Sequence, residues 1–436
     1  MRPALLGARR EQKRTGAARI PAVPITGKRM DMSLEEQQEL EDEYVMHTFA
    51  RKPVQLVSGS GMTVRDDKGK EYVDFIGGIG VCCLGHCAPV VADAIADQAH
   101  KLIHVSNYYY IEKRGQLAHM LSDMLNERVA VADRKPWKTF FANSGAEANE
   151  CAIKLARLYS REKGSGGQNI ISLEHSFHGR TLVTLAATQQ PVKQAAFQPL
   201  PGGFLAVKPN DVAALEQTFA AHPDGIAAIL LEPIQGESGV HPLSKEYLQA
   251  ALKLAHDNGA LLICDEVQCG IYRAGTYPFA YQHANLLPDI VSTAKGIAGG
   301  FPMGACSARA EVAEVFQPGL HGSTFGGSNL AVSASYATLN ALQEQGIAQH
   351  VTEVGDYLMQ QLSQVPGLQD VRGKGLMVAC DLPEGVDAFQ VVLKALDAGL
   401  LLNATGPSTL RFLPPLICEK KHVDALVAKL PALIAG

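Results

Sequence analysis

Ile290-Val291-Ser292-Thr293 is a short, largely β-branched run that reads as a buried strand, and it leads directly into Ala294-Lys295. Gly296, Gly299 and Gly300 follow and let the backbone turn tightly around the lysine. Desolvating an ammonium is costly, so a lysine at the exit of a buried strand needs either water or a chemical task to hold it there. Three other strand-like runs end in a similar way. Leu261–Cys264 gives way to Asp265-Glu266-Val267-Gln268, Phe140–Ala142 to Asn143-Ser144-Gly145-Ala146-Glu147, and Ile170–Leu173 to Ser176-Phe177-His178-Gly179-Arg180. Four strand ends carrying polar residues predict one site at the carboxyl edge of an open α/β sheet.

The surrounding chain agrees with such a sheet. From Lys138 to Ala308 strands and helices alternate, with strand candidates near Phe140, Ile170, Ile226–Leu231, Leu261–Cys264, Ile290–Thr293 and Ala305. That alternation predicts an α/β fold with a mainly parallel central sheet and helices on both faces. Pro89–His100 and Arg114–Leu125 have helical spacing, and Ser33 followed by Glu35 and Glu36 reads as a helix N-cap. Val54–Val64 and Tyr72–Phe75 read as strands around the Asp66-Asp67-Lys68-Gly69 turn. Beyond Asn329 a long helical stretch leads to a mixed tail with strands at Met377–Asp381 and Leu410–Leu413. The expected organisation is an extension over 1–30, a large domain over 86–335, and a smaller α+β domain built from 31–85 and 336–436.

Length and composition bound the function. At 436 residues the chain has room for two or three domains at ~150 residues each. A net charge of -5 gives no reason to expect nucleic acid or an acidic membrane surface as partner. No apolar run approaches the ~18 residues needed to span a bilayer. The nine cysteines are scattered and odd in number, which points to a reducing compartment with thiols used as small core residues. Cys82-Cys83…His86-Cys87 lacks a second ligand pair at finger spacing, so a Gly-rich turn is expected there and no metal. Residues 1–30 hold eight Arg and Lys against Glu11 alone, and Pro21 and Pro24 break any helix. A transit peptide, a disordered tail and an upstream start before Met30 or Met32 all fit. The location is accordingly cytoplasmic, or the mitochondrial matrix if the extension is a transit peptide.

In this order, the motifs at Asn143–Glu147, Ser176–Arg180, Glu232–Glu237, Asp265–Gln268, Ser292–Lys295, Gly322–Gly327 and Leu410–Phe412 resemble the class III (fold type I) aminotransferases that use pyridoxal 5′-phosphate. The similarity runs from about Tyr44 to the C-terminus. Within the family it points to members acting on an N-acylated ornithine, through Asn403–Pro407 and Ser323–Gly327.

The resemblance implies a role for each residue. Lys295 bonds to the cofactor aldehyde and, once displaced, carries the proton between substrate and cofactor carbons. Asp265 keeps the pyridine nitrogen protonated. Ser144, Gly145 and Ala146 hold the phosphate at a helix N-terminus. Phe177 and Val267 lie on opposite faces of the ring, and Gln268 meets its hydroxyl. Thr324 reaches the phosphate of the neighbouring subunit and Ser323 touches substrate, which implies a homodimer with shared active sites. Arg180 clamps one substrate carboxylate and Arg411 a second. Glu237 is the gate, paired with Arg411 when an ω-amino donor binds and released when a dicarboxylate such as glutamate binds. The implied reaction moves the ω-amino group of N-acetylornithine to 2-oxoglutarate by ping-pong exchange, a step of arginine biosynthesis.

Each residue also has a plainer reading: N-caps for Asp265 and Ser144, core for Phe177, backbone-bonded loop hydroxyls for Ser323 and Thr324, and surface ion pairs for the arginines. Glu266, His178 and His86 are read as structural. Cys269-Gly270-Ile271-Tyr272-Arg273-Ala274-Gly275 departs from the family's more common Thr-Gly-x-Gly-Arg-Thr-Gly, which leaves succinyl-diaminopimelate, succinylornithine, ornithine and 4-aminobutyrate open as donors. Two rival classes are weaker. Ser292–Lys295 fits the S-x-x-K of serine hydrolases, but S-D-N and K-T-G are absent. An isomerase on the same fold has no need of two carboxylate-binding arginines and a gate.

Overall fold

The computed structural model describes residues 32–223 and 225–435, so the expectation for residues 1–30 lies outside it. The described residues before Val54 belong to a unit of their own. It holds the helix Leu34–Tyr44, whose Ser33 Oγ accepts from the Glu36 amide at 3.2 Å while Glu36 Oε2 accepts from the Ser33 amide at 2.8 Å. This reciprocal cap is what a Ser followed three positions later by Glu provides.

From Val54 on, the chain is organised around a seven-stranded sheet. Its strands lie side by side in the order 137–142, 304–309, 290–293, 261–265, 226–231, 169–173 and 204–207. All neighbours run parallel except Gly304–Arg309, which is antiparallel to both Ile290–Thr293 and Trp137–Ala142. The sheet is therefore mainly parallel, as the alternation of elements predicts.

Alternate residues along these strands point to opposite faces, and the two faces meet different cores. Ile171, Leu173, Ile229, Leu231, Leu262, Cys264 and Val291 pack in one cluster with the helices Arg114–Leu125, Lys245–Asp257 and Asn329–Glu344. Ile170, Ala228, Leu230, Leu261, Ile263 and Ile290 pack in the other, against Cys151, Ala152, Leu155 and Ala156 of the helix Gly145–Lys163. Each fully buried Leu or Ile contributes about 1.5–3 kcal/mol. A sheet covered on both faces leaves only its edges and strand ends for polar chemistry.

Two smaller four-stranded sheets flank this layer. One pairs Gln369–Lys374, Met377–Asp381, Thr409–Phe412 and Asn403–Ala404 antiparallel. The other joins Leu56–Ser60, Thr63–Asp66 and Glu71–Asp74 to Leu400–Leu401. The run Val54–Val64 is thus two strands of a hairpin rather than one, because Gly61 adopts φ +56 and turns the chain. Among the described residues no helix is long and apolar enough to cross a membrane, and no cluster of three or more His, Cys, Asp and Glu is arranged to hold a metal. Cys82–Cys87 forms turns beside Gly61, with His86 Nε2 on Asp74 Oδ2 at 2.7 Å, and all nine cysteines are free.

Candidate active site

Lys295 sits at the first position of a 3₁₀ turn, Lys295–Ala298, just beyond the Ile290–Thr293 strand. Its φ is +46, a left-handed value that costs a non-glycine residue roughly 1–3 kcal/mol and persists only where the surroundings demand it. Its ammonium has no hydrogen-bond or ion-pair partner among the described residues. Burial lowers its pKa, with Arg411 adding to the effect and Glu237, Asp265 and Glu232 opposing it. The lysine lines a cavity of about 470 Å³ at the carboxyl ends of the parallel strands.

Asp265 ends the neighbouring strand and is buried. Its Oδ2 accepts from His178 Nδ1 at 2.8 Å and from Asn149 Nδ2 at 2.7 Å, and its Oδ1 accepts from the Val267 amide at 3.0 Å. Asn149 is itself held by Ser292 Oγ, which donates to Asn149 Oδ1 at 2.6 Å. Because His178 donates from Nδ1, its Nε2 is the free nitrogen if the ring is neutral, and that atom is buried with no partner. His178, read from sequence as structural, therefore stands against the acid that the family resemblance singles out. No sequence spacing connects His178 to Asp265, which lies 87 positions away.

The helix Gly145–Lys163 opens toward the same cavity. Ser144 caps it, its Oγ accepting from the Glu147 amide at 3.2 Å, which is the plain N-cap reading of Ser144. Gly145 and Ala146 line the cavity at the helix's first turn, where backbone amides point outward. A Cβ on Gly145 would lie 2.7 Å from Val267 Cγ1, so glycine here leaves room for the Val267 side chain. Phe177 and Val267 both line the cavity. Arg180 lies over the Phe177 ring at 5.5 Å and Lys193 at 5.9 Å.

Glu232, at the end of another strand, ties the two sides together. It is buried, with Oε2 accepting from the Phe177 amide at 2.9 Å and Oε1 from the Gly236 amide at 3.3 Å. Burial pushes its carboxyl up to about 7, and Asp265 adds to this against His178 and the two amides. The neighbouring Glu266 is likewise pushed by burial to about 7 while it accepts from the amides of Ala280 and Tyr281.

Arg411 comes from the antiparallel strand Thr409–Phe412 and is buried. Its Nη1 donates to Glu237 Oε1 at 2.8 Å, to the Gly236 carbonyl at 2.9 Å and to Gln268 Oε1 at 3.1 Å. Glu237 is half-buried; burial alone would raise its carboxyl, yet Arg411, Lys295 and the hydrogen bonds from Arg411 and Gln268 bring it down to about 2. Gln268 lines the cavity, whereas Glu237 and Arg411 are not in its wall.

The structure thus gathers Ser144, Gly145, Ala146, Phe177, Arg180, Asp265, Val267, Gln268 and Lys295 around one cavity, with Glu237 and Arg411 adjoining it. Ser323 and Thr324 line a separate, wider groove with Asn107, Tyr110 and Arg114. A link remains through Asn143, which lines the cavity and whose Nδ2 donates to Ser323 Oγ at 3.2 Å. Asn149, His178, Glu232 and Asn403 join the site without a functional role having been read for them in the sequence. The last three lie within motifs already singled out, and Asn149 is a polar residue on the buried face of a helical pattern.

The family described as Aminotransferase class-III matches residues 46–434. The acetylornithine aminotransferase of Methanocaldococcus jannaschii is 45% identical over 402 residues, covering 91% of this chain and 97% of that protein. Among solved structures, acetylornithine aminotransferase from Elizabethkingia anophelis superposes with a TM-score of 0.80 at 31% identity, covering 92% of this chain and 99% of that one. Ornithine aminotransferase from Toxoplasma gondii superposes with a TM-score of 0.85 at 30% identity, covering 92% and 95%, and a second structure of it has partial occupancy of pyridoxal phosphate at the active site.

The residues present fit that cofactor. An unpartnered amine, a buried carboxylate with its acceptor oxygens oriented by neighbours, a helix N-terminus opened by Gly145, and apolar groups at Phe177 and Val267 supply what an aldehyde, a pyridine nitrogen, a phosphate and a flat ring each require. By sequence and by fold, this chain belongs to the class-III aminotransferases, whose cofactor is pyridoxal 5′-phosphate.

Proposed function

We propose that the protein transfers the ω-amino group of an N-acylated ornithine, N-acetylornithine foremost, to 2-oxoglutarate by ping-pong exchange, as in arginine biosynthesis. The observation that carries this reading is the ion pair between buried Arg411 and half-buried Glu237 beside the Lys295 cavity. A buried arginine neutralised by a removable carboxylate suits an enzyme that must accept a donor with one carboxylate and then an acceptor with two. The names borne by relatives at 41–45% identity favour acetylornithine among the ω-amines.

When bound, pyridoxal phosphate supplies the aldehyde that takes up the amino group and the ring that draws off the electrons of the C–H bond being broken. The chain's own residues do the rest. Lys295 anchors the cofactor and moves a proton at its Nζ, a task helped by burial that lowers its pKa. Asp265, aligned by His178 and Asn149, keeps a proton on the ring nitrogen. Ser144, Gly145 and Ala146 hold the phosphate, Phe177 and Val267 confine the ring, and Gln268 meets its hydroxyl. Arg180 takes the donor's α-carboxylate, while Arg411, freed from Glu237, takes the second carboxylate of glutamate or 2-oxoglutarate.

Ser323 and Thr324, in the separate groove, fit a homodimer in which Thr324 serves the phosphate of the partner copy and Ser323 touches substrate. Nine free thiols fit a cytoplasmic or otherwise reducing location. A donor panel tests the reading. N-acetylornithine should give the highest kcat/KM against N-succinylornithine, N-succinyl-diaminopimelate, ornithine and 4-aminobutyrate, with parallel initial-rate lines against 2-oxoglutarate. A higher value for a free ω-amine, or intersecting lines, overturns it.

A further inference from the structure

The Glu237–Arg411 pair is not closed by its two members alone. Glu237 Oε1 accepts from Arg411 Nη1 at 2.8 Å and also from Gln268 Nε2 at 2.9 Å, while Gln268 Oε1 accepts from the same Arg411 nitrogen at 3.1 Å. The three head groups thus close a ring. A side-chain amide carries donor and acceptor on one head, so it can face a carboxylate and a guanidinium together. Turned over, it would set its carbonyl against Glu237 and its NH₂ against Arg411, so the two charges fix its orientation.

The backbone is shaped around this amide. A Cβ at residue 236 would stand 1.9 Å from Gln268 Oε1 and 2.4 Å from its Cδ, so the amide occupies space that only glycine leaves open. Gly236 is outside the left-handed region, which makes space rather than conformation the reason for glycine. Gln268 is also the one of the three that lines the Lys295 cavity. Its Nε2 carries two N–H groups, of which one is on Glu237 and the other has no partner among the described residues.

We propose that Gln268 is the latch of this gate, a positioning residue that sets how readily Arg411 is released to a second substrate carboxylate. The inference rests on the gate reading of Glu237 and Arg411 given above. With the latch made, opening breaks two hydrogen bonds to Glu237 Oε1 instead of one, and donors with a single carboxylate are favoured. With it broken, Glu237 leaves more readily and dicarboxylates gain. Gln268 also lines the Lys295 cavity and keeps a second N–H beyond the one on Glu237, so holding the ring and holding the gate would draw on one amide.

Two variants of the holoenzyme test this by separate routes. Gly236→Ala displaces the amide without removing it, and Gln268→Met removes the amide at similar volume. The first readout is calorimetric binding of glutarate, a dicarboxylate with no amino or keto group to react, against pentanoate, a monocarboxylate. The latch predicts that both variants bind glutarate tighter by about tenfold or more, the worth of one hydrogen bond to a charged group, with pentanoate unchanged. The second is the single-turnover rate with glutamate relative to N-acetylornithine. Both reactions start from the same cofactor form, so a general cofactor defect cancels, and the ratio should rise by a similar factor.

Unchanged glutarate affinity and an unchanged ratio in both variants overturn the latch, as does an equal loss for both substrates. If the parent enzyme transaminates N-acetylornithine while the variants behave like the parent, the latch fails and the proposed function stands. If the parent uses none of the ω-amines but glutarate tightens in the variants, the donor assignment fails and the latch stands.

Discussion

Asn403 and Arg411 stand directly opposite each other in adjacent antiparallel strands, and Asn403 Oδ1 accepts from both Nε, at 3.2 Å, and Nη2, at 2.9 Å, of the guanidinium. The strand register therefore does part of the aiming of Arg411. One edge of the fork is held by a neutral acceptor, while the Nη1 corner is held by the removable Glu237. Replacing Asn403 by Ala should let the guanidinium rotate and raise KM for 2-oxoglutarate about fivefold to tenfold with a smaller change in kcat. Steady-state kinetics on the keto-acid side check this, and a drop in kcat alone would speak against Arg411 as a carboxylate site.

The acid limb of stability should report the same pair. Glu237 has a folded pKa of about 2 against an ordinary 4.5, so as pH falls the unfolded chain takes up the proton first. The stabilisation is fully present above 4.5 and is lost as pH falls toward 2. In urea unfolding followed across that window, Glu237→Gln should lose stability less steeply than the parent. Equal slopes would mean that the carboxylate is not held by Arg411 in solution.

Glu232 and Glu266 work in the opposite sense. Burial raises both to about 7, so between 4.5 and 7 the folded chain binds more protons than the unfolded one. Their contribution therefore declines as pH rises from 4.5 to 7. Glu266→Gln should be less stable overall, since an amide accepts poorly from two backbone N–H groups, yet show a flatter decline across this window. A slope as steep as the parent's would place the proton elsewhere.

Gly145 and Val267 make a packing test at the helix N-terminus. A Cβ at 145 would press on Val267 Cγ1 at 2.7 Å, and overpacking of this kind costs about 1–3 kcal/mol. Gly145→Ala should weaken cofactor binding about tenfold or more, at 1.4 kcal/mol per tenfold, and Val267→Ala in the same chain should restore much of it. Spectroscopic titration of the apoenzyme decides the matter, and absence of rescue would refute the steric account.

Much of this site could be read from strand ends. Lys295, Asp265, Ser144 and Phe177 each follow a buried β-branched or apolar run, and in a parallel sheet all such exits share one edge. What could not be read is whatever arises from contact between distant segments. His178 looks like one polar residue in a turn until folding sets it on Asp265, and Glu232 looks like a strand-end acid until its oxygens reach Phe177 and Gly236. The edge strand Phe204–Val207 escaped notice because only Val207 of its side chains is fully buried and its apolar run is short. The split of Val54–Val64 depends on the left-handed backbone of Gly61, to which hydrophobic pattern is blind.

The most direct test of the account is covalent. Purified protein loaded with pyridoxal phosphate and reduced with borohydride should carry the cofactor's mass on the peptide containing Lys295, and Lys295→Ala should carry none and lose turnover. Cofactor mass on another lysine, or full turnover in Lys295→Ala, would contradict it.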